Sequence, residues 1–106
     1  MRKIHWLKEA EDEFAAIIDY VLRTHGQITA LHVYDDIIHR IDLLAAFPEL
    51  GTSEKQYCFN GMPLRVLHSK LTRVFYCVNE TEIIVVLLWS NRMDDRVLKE
   101  IIESRS

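Results

Sequence analysis

The chain has 106 residues, of which 49% are hydrophobic and 27% charged. That composition supplies one core, too little for two domains, and excludes a long disordered tail; three glycines and two prolines exclude collagen-like and low-complexity classes. Thirteen basic against sixteen acidic residues give a net charge of −3, which excludes a surface built throughout to grip nucleic acid but leaves room for a local basic patch.

Arg2 to Leu7 alternates, with Ile4 and Trp6 on one side and Lys3 and His5 on the other, and predicts a short strand. Glu9 to Thr24 predicts a helix whose apolar positions are Ala10, Phe14, Ile17, Ile18, Val21 and Leu22. Its other face carries Glu9, Glu11, Asp12, Glu13 and Asp19, and acids in the first turn suit the positive helix N-terminus. Gly26 is placed to end it in a left-handed cap. A second helix is predicted from Gln27 to Phe47, with Leu31, Tyr34, Ile37, Ile38, Ile41, Leu44 and Ala45 as its stripe and Pro48 as its stop. The two helices form an antiparallel hairpin.

Glu49 to Gly61 shows no period and reads as a loop. Three strands follow: Met62 to His68, Leu71 to Val78 and Glu82 to Trp89, with turns at Ser69-Lys70 and Asn79-Glu80-Thr81. The last is nearly all β-branched or Leu, as in a strand covered on both faces. Asp94 to Ser104 closes the domain with a short helix. The expected fold is α+β, one domain over residues 1–106, in the order strand, helix, helix, three strands, helix, with a mostly antiparallel curved sheet against the hairpin.

Charge is divided unevenly. Residues 1–59 carry six basic and ten acidic groups, and residues 60–106 seven and six. This suggests two surfaces with different partners, or simply a solvated helical face in the first half. Cys58 and Cys77 lack the spacing of a disulfide scaffold or a zinc site and are expected as reduced, buried or half-buried thiols. His5, His25, His32 and His39 have no Cys or acid completing a ligand set, so no metal and no cofactor is expected. The N-terminus has no signal-peptide core, and the longest apolar run, Ile83 to Trp89, is far short of the roughly twenty residues of a membrane span. A cytoplasmic location is expected.

This order and these residues resemble the RelE/ParE superfamily of type II toxin–antitoxin toxins across essentially the whole chain. The resemblance rests on Ile4-His5-Trp6 followed by Ala10 and Glu11, on Tyr20 and Gly26, and on Phe47-Pro48-Glu49-Leu50-Gly51. It also rests on Arg73-Val74-Phe75-Tyr76-Cys77-Val78 and on Trp89-Ser90-Asn91-Arg92-Met93-Asp94, whose Arg-Met-Asp form is similar to the ParE branch. RelE-like members cut messenger RNA in the ribosome, ParE-like members poison DNA gyrase, and in both an antitoxin lays a helix and an extended segment over the toxin. The resemblance therefore implies a plasmid-stabilisation-like toxin with a cognate antitoxin, a toxin–antitoxin hetero-oligomer, and either gyrase or the ribosome and its mRNA as target.

The chemistry separates the branches. Cleavage through the 2′-hydroxyl needs a base, an acid and a cation on the phosphate. Arg73 suits the last role. Where nuclease members place His, Tyr or Arg at the end of the last strand, this chain has Ser90 and Met93, neither of which moves a proton near neutrality. Glu54 and His68 are the remaining candidates for proton transfer. A chain entering the ribosome is also expected to be strongly basic. These points favour a ParE-like inhibitor that is not itself an enzyme; a ribosome-dependent endoribonuclease using Arg73 with Glu54 or His68, or a degenerate regulator that only binds an antitoxin, are the alternatives.

Arg65, Arg73, Arg92 and Asp94 are the candidate target-binding residues. For Arg73 the structural alternative is an ion pair with Asp94 or a solvated edge. For Arg92 and Asp94 it is a braced turn with Asp94 capping the last helix. Arg65 shares a face with Arg73 if the hairpin register allows. Helices on one side of a small sheet leave the other side partly apolar, so Leu67, Phe75 and Cys77, beside the two arginines, are the candidate antitoxin-binding residues.

Overall fold

The computed structural model describes residues 1–106. Strand β1 (Lys3–Trp6) leads into α1 (Lys8–His25) and α2 (Gln27–Leu43); then come β2 (Thr52–Phe59), β3 (Met62–Ser69), β4 (Thr72–Val78) and β5 (Glu82–Ser90). A 3-10 turn (Asp95–Val97) and α3 (Leu98–Ser104) complete the chain. The sheet order is β1-β5-β4-β3-β2, with β1 parallel to β5 and every other pair antiparallel. The fold is α+β, with one strand more than the sequence pattern predicts.

The turn between the helices is tight because one residue serves both. Gly26 has φ +88°, its N–H donates to Leu22 O, and its carbonyl accepts from Ala30 N. Only glycine takes that conformation cheaply. From α1 and α2, Ala10, Ile17, Val21, Ala30, Val33, Ile37 and Ile41 pack on one face of the sheet against Leu67, Val74, Tyr76, Ile83, Val85 and Leu88. Each of the larger buried aliphatics contributes about 1.5–3 kcal/mol.

In α2 the inward residues are Ala30, Val33, Ile37 and Ile41, followed by Leu44 just past its end, so the expected stripe is rotated. Leu31 stays 59% exposed and Tyr34 43%. Ala30 and Val33 face inward beside Ile37 and Ile41, and the larger Leu31 and Tyr34 are left on a second, exposed apolar face of the hairpin.

The other side of the sheet is not open. Phe59, Leu64, Val66, Phe75, Cys77, Val86, Leu87 and Trp89 form a second core, and α3 closes it with Leu98 and Ile102. A bulge on β5 makes this possible. Phe75 pairs with Leu87 and Tyr76 with Val85, so Val86 is the extra residue, and Val86 and Leu87 both point toward α3.

Strand β2 lies where a loop was expected. It is an edge strand, bulged between Glu54 and Cys58, and mostly exposed. An edge needs few inward apolar residues, and the bulge breaks what alternation there is. Tyr57, edge-on to Phe75 at 5.4 Å, and Phe59 are its inward contacts.

Beyond Trp6, the side of β5 away from β4 has no strand beside it. Side chains finish the ladder instead. Glu13 Oε1 accepts from Leu88 N at 3.2 Å, and Arg105 Nη1 donates to Val86 O at 2.9 Å. The two side chains bind each other through both oxygens, at 2.9 and 2.6 Å. No helix is long and apolar enough to cross a membrane.

Candidate functional site

The sequence candidates separate onto two faces of the sheet. Arg65 is in register with Tyr76, which faces the helical hairpin, whereas Arg73 is in register with His68 and Trp89, and Trp89 lies in the core under α3. The register therefore denies the two arginines a shared face. Arg65 braces the chain ahead of β2, where its Nη1 donates to Gly51 O at 2.6 Å. There it borders Tyr76, whose hydroxyl donates to Pro48 O and accepts from Gly51 N, both at 2.8 Å. Burial raises the Tyr76 pKa. A Cβ on Gly51 would come within 2.8 Å of the Tyr76 ring and 2.9 Å of Val66 O, which explains the glycine after Phe47-Pro48-Glu49-Leu50.

The expected open apolar face is also corrected. Leu67 is buried beneath the hairpin, and Phe75 and Cys77 are buried on the opposite side beneath α3. None is exposed in this chain: the hairpin covers Leu67, and α3 covers the side holding Phe75 and Cys77. Burial pushes the Cys77 thiol up to about 11, so it stays protonated and inert. Cys58, expected buried or half-buried, is exposed on the edge strand.

Chemistry-bearing side chains gather where β4 begins and β5 ends. Arg73 Nη2 lies 2.6 Å from Asp95 Oδ1, and the same oxygen accepts from Trp89 Nε1 at 3.0 Å. The ion-pair partner of Arg73 is thus Asp95 and not Asp94. The Arg73 guanidinium also lies 5.8 Å from the centre of the Phe75 ring. The hydrogen bond from Arg73 holds the Asp95 carboxyl below its ordinary pKa. Asp94 caps the 3-10 turn, accepting from Arg96 N at 2.9 Å, and pairs with the Arg96 side chain at 2.6 Å. The Arg96 hydrogen bond lowers its pKa. Its expected capping role is present, at a 3-10 turn one step ahead of α3.

Arg92 stands apart. Its guanidinium lies 3.9 Å over the ring of Tyr20 from α1, and its backbone N–H donates to Ser90 Oγ at 3.4 Å. Glu54 is on β2, where its carboxylate accepts from Gln56 Nε2. His68 is exposed on β3 directly across from Arg73.

Sequence reasoning missed Asp95, Tyr20 and the Glu13–Arg105 pair as site-builders. An acidic doublet after a strand-end arginine is a signal for Asp95. Nothing local marks Glu13 and Arg105, which are 92 positions apart.

Comparison with known proteins adds the following. No curated protein matches the chain. A solved structure described as the chromosomal ParDE TA system from P. aeruginosa is similar, with a TM-score of 0.69 and 21% identity, over 85% of this chain and 96% of that one. At that identity the likeness concerns the fold. A family model described as the ParE toxin of the type II toxin–antitoxin system, parDE, matches residues 4–95. With most of its length inside that match, the chain belongs to the ParE toxins of type II toxin–antitoxin systems.

Proposed function

We propose that this toxin arrests growth in the cytoplasm by binding DNA gyrase as an inhibitor, and that a cognate antitoxin neutralises it. The observation that carries the choice of a binder over a nuclease is the state of Arg73. RNA cleavage needs a cation free to meet charge developing on phosphate. Arg73 is held instead by Asp95, which is itself fixed by the Trp89 indole. Its charge is balanced within the chain. Glu54 is engaged with Gln56 on the edge strand, and Ser90 and Met93 occupy the strand end.

The test is supercoiling of relaxed plasmid by purified gyrase. Excess toxin is expected to stop it, and full supercoiling at excess toxin overturns the reading. One observation favours a second reading as a ribosome-dependent endoribonuclease: His68 faces Arg73 across β3 and β4. Translating ribosomes followed by primer extension decide it. A-site cuts that disappear with Arg73→Ala and His68→Ala support the nuclease, and uncut message removes it.

For the antitoxin, the hairpin's outer side replaces the sheet face as the docking surface. Ile28 is 75% exposed there, with Leu31, Tyr34 and Leu22 beside it. Trp6, Phe14 and Tyr34 run in a file, with ring centres 5.5 and 5.1 Å apart. Glu11 and Asp19 border the groove. That pattern fits an amphipathic helix with basic flanks.

A further inference from the structure

We propose that the corner around Arg92 is a recognition site for an acidic side chain set between large apolar ones on a protein partner. The inference rests on the reading above that the toxin works by binding a protein, and it names the chemistry of the segment bound.

Arg92 is the only one of the eight arginines whose guanidinium has neither a hydrogen bond nor an ion pair. Arg23, Arg40, Arg73, Arg96 and Arg105 are each paired with a carboxylate. Arg2 and Arg65 donate to backbone carbonyls. Arg92 is nevertheless placed, with its Cζ 3.9 Å over the centre of the Tyr20 ring. A stacked guanidinium keeps its five donors in a fixed plane, so less freedom is lost when a carboxylate arrives. The nearby acids cannot serve it: Asp94, Asp95 and Glu13 are bound to Arg96, Arg73 and Arg105.

Two cavities of about 160 Å³ each flank this cation, and both include Ile17, Ser90 and Arg92 in their walls. One is completed by Tyr20, Val21, His25, Leu71 and Asn91, the other by Glu13, Ala16, Leu88, Trp89 and Met93, with Glu13 tied to Arg105. A dry cavity of roughly 150 Å³ accepts a benzene-sized group, so each pit takes one large apolar side chain.

Each pit has one exposed apolar side chain in its wall. Met93 is 44% exposed. Leu71 is 50% exposed and has φ +64°, in the left-handed region that disfavours a γ-branched residue. Glycine or asparagine suits that turn better. An apolar side chain held in a strained conformation at the mouth of a cavity points to use. Nucleic acid has the anion for Arg92, but its binding draws on several phosphate-neutralising cations, and only one uncompensated arginine stands here. A peptide segment supplies both chemistries, with an anchor in each pit and a charge between them.

The test uses the full chain and a set of acetylated, amidated peptides. Each carries one Glu between two Leu, separated on both sides by zero, one or two Gly. Backbone amide shifts of residues 90–93 are followed by NMR. At least one spacing is expected to saturate those shifts, with its Gln counterpart at least tenfold weaker and Arg92→Gln likewise at least tenfold weaker. Unchanged amide shifts elsewhere in Arg92→Gln establish that it folds. Three results overturn the proposal: no shift with any peptide at millimolar concentration, equal binding by the Gln forms, or a dodecamer of oligothymidylate moving the same amides more strongly than every peptide. Gyrase takes no part in this measurement. Peptide binding without gyrase inhibition keeps the site and changes only the target, whereas inhibition without peptide binding keeps the target and removes the site.

Discussion

Asp95 joins two groups that the sequence places far apart in character, a strand-end arginine and a core indole. Its Oδ1 accepts from Arg73 at 2.6 Å and from Trp89 at 3.0 Å. The two bonds respond differently to substitution. Asp95→Asn keeps an oxygen for the indole and loses the charge, whereas Asp95→Ala loses both. The Arg73 bond lowers the Asp95 pKa in the folded chain, so the charge stabilises the fold at pH values above the ordinary aspartate value and that stabilisation is lost as pH falls through the lowered one. Because the Asp95 side chain is 54% exposed, the charge is worth little. Asp95→Asn is expected to cost under about 1 kcal/mol at pH 7 and nothing once Asp95 is protonated. Asp95→Ala is expected to cost about 1–2 kcal/mol more at every pH, since it strands the N–H of a buried Trp89. Urea melts of the three proteins over a series of falling pH values from pH 7 check the pattern. A gap between wild type and Asp95→Asn that widens in acid contradicts it.

At the scale of elements, α3 decides what the sheet can present. Seven residues make a marginal helix by themselves. Leu98 and Ile102 bury it on the second core, and Arg105 fastens its end through Glu13 and Val86 O. The Arg105 side chain is only 10% exposed, so Arg105→Ala leaves a carboxylate and a carbonyl half-buried without their donor. The expected loss is about 2–4 kcal/mol, with faster hydrogen exchange at Leu98–Ser104 than in α1. Equal protection of the two helices in the variant contradicts the fastening role. Glu13 also shows where local patterns stop being informative. On the helical wheel it belongs with the solvated acids; it turns inward only because β1 ends at Trp6 and leaves Leu88 N without a strand partner. The same holds for register. The strands β3, β4 and β5 were legible from alternation, but the bulge at Val86 and the pairing of Arg65 with Tyr76 depend on neighbours distant in sequence. Asp94 was legible as a capping residue, but the partner of Arg73, Asp95, required the turn after β5 to be formed, and Arg92 turns away to Tyr20 on α1. The edge strand Thr52–Phe59 was hidden by its own polarity. In α2, Leu31 and Tyr34 outweigh Ala30 and Val33 in any hydrophobicity pattern, yet the smaller pair faces the sheet.

Across the molecule, α1 serves two surfaces at once. Its Ile17, Tyr20 and Val21 border the Arg92 corner, and Phe14, Ala15, Ile18 and Leu22 line the outer groove of the hairpin. On the proposed reading, an antitoxin helix in the groove would stand one helix width from the corner, about 10 Å, and its flanking chain would obstruct the corner without any change in the toxin's shape. If neutralisation works by obstruction, the two surfaces are separable by mutation. Leu31→Asp places a charge on the exposed apolar side of α2 and leaves the core untouched, since Leu31 makes no part of it. It is expected to weaken antitoxin binding by at least tenfold in calorimetry while gyrase inhibition by the free toxin is unchanged, because an unpaired carboxylate in an apolar interface costs more than the lost contact. Arg92→Gln is expected to do the reverse, lowering inhibition and leaving the groove's affinity for the antitoxin within about twofold. If both substitutions weaken both activities alike, one shared surface binds target and antitoxin, and competition for it replaces obstruction as the account of neutralisation.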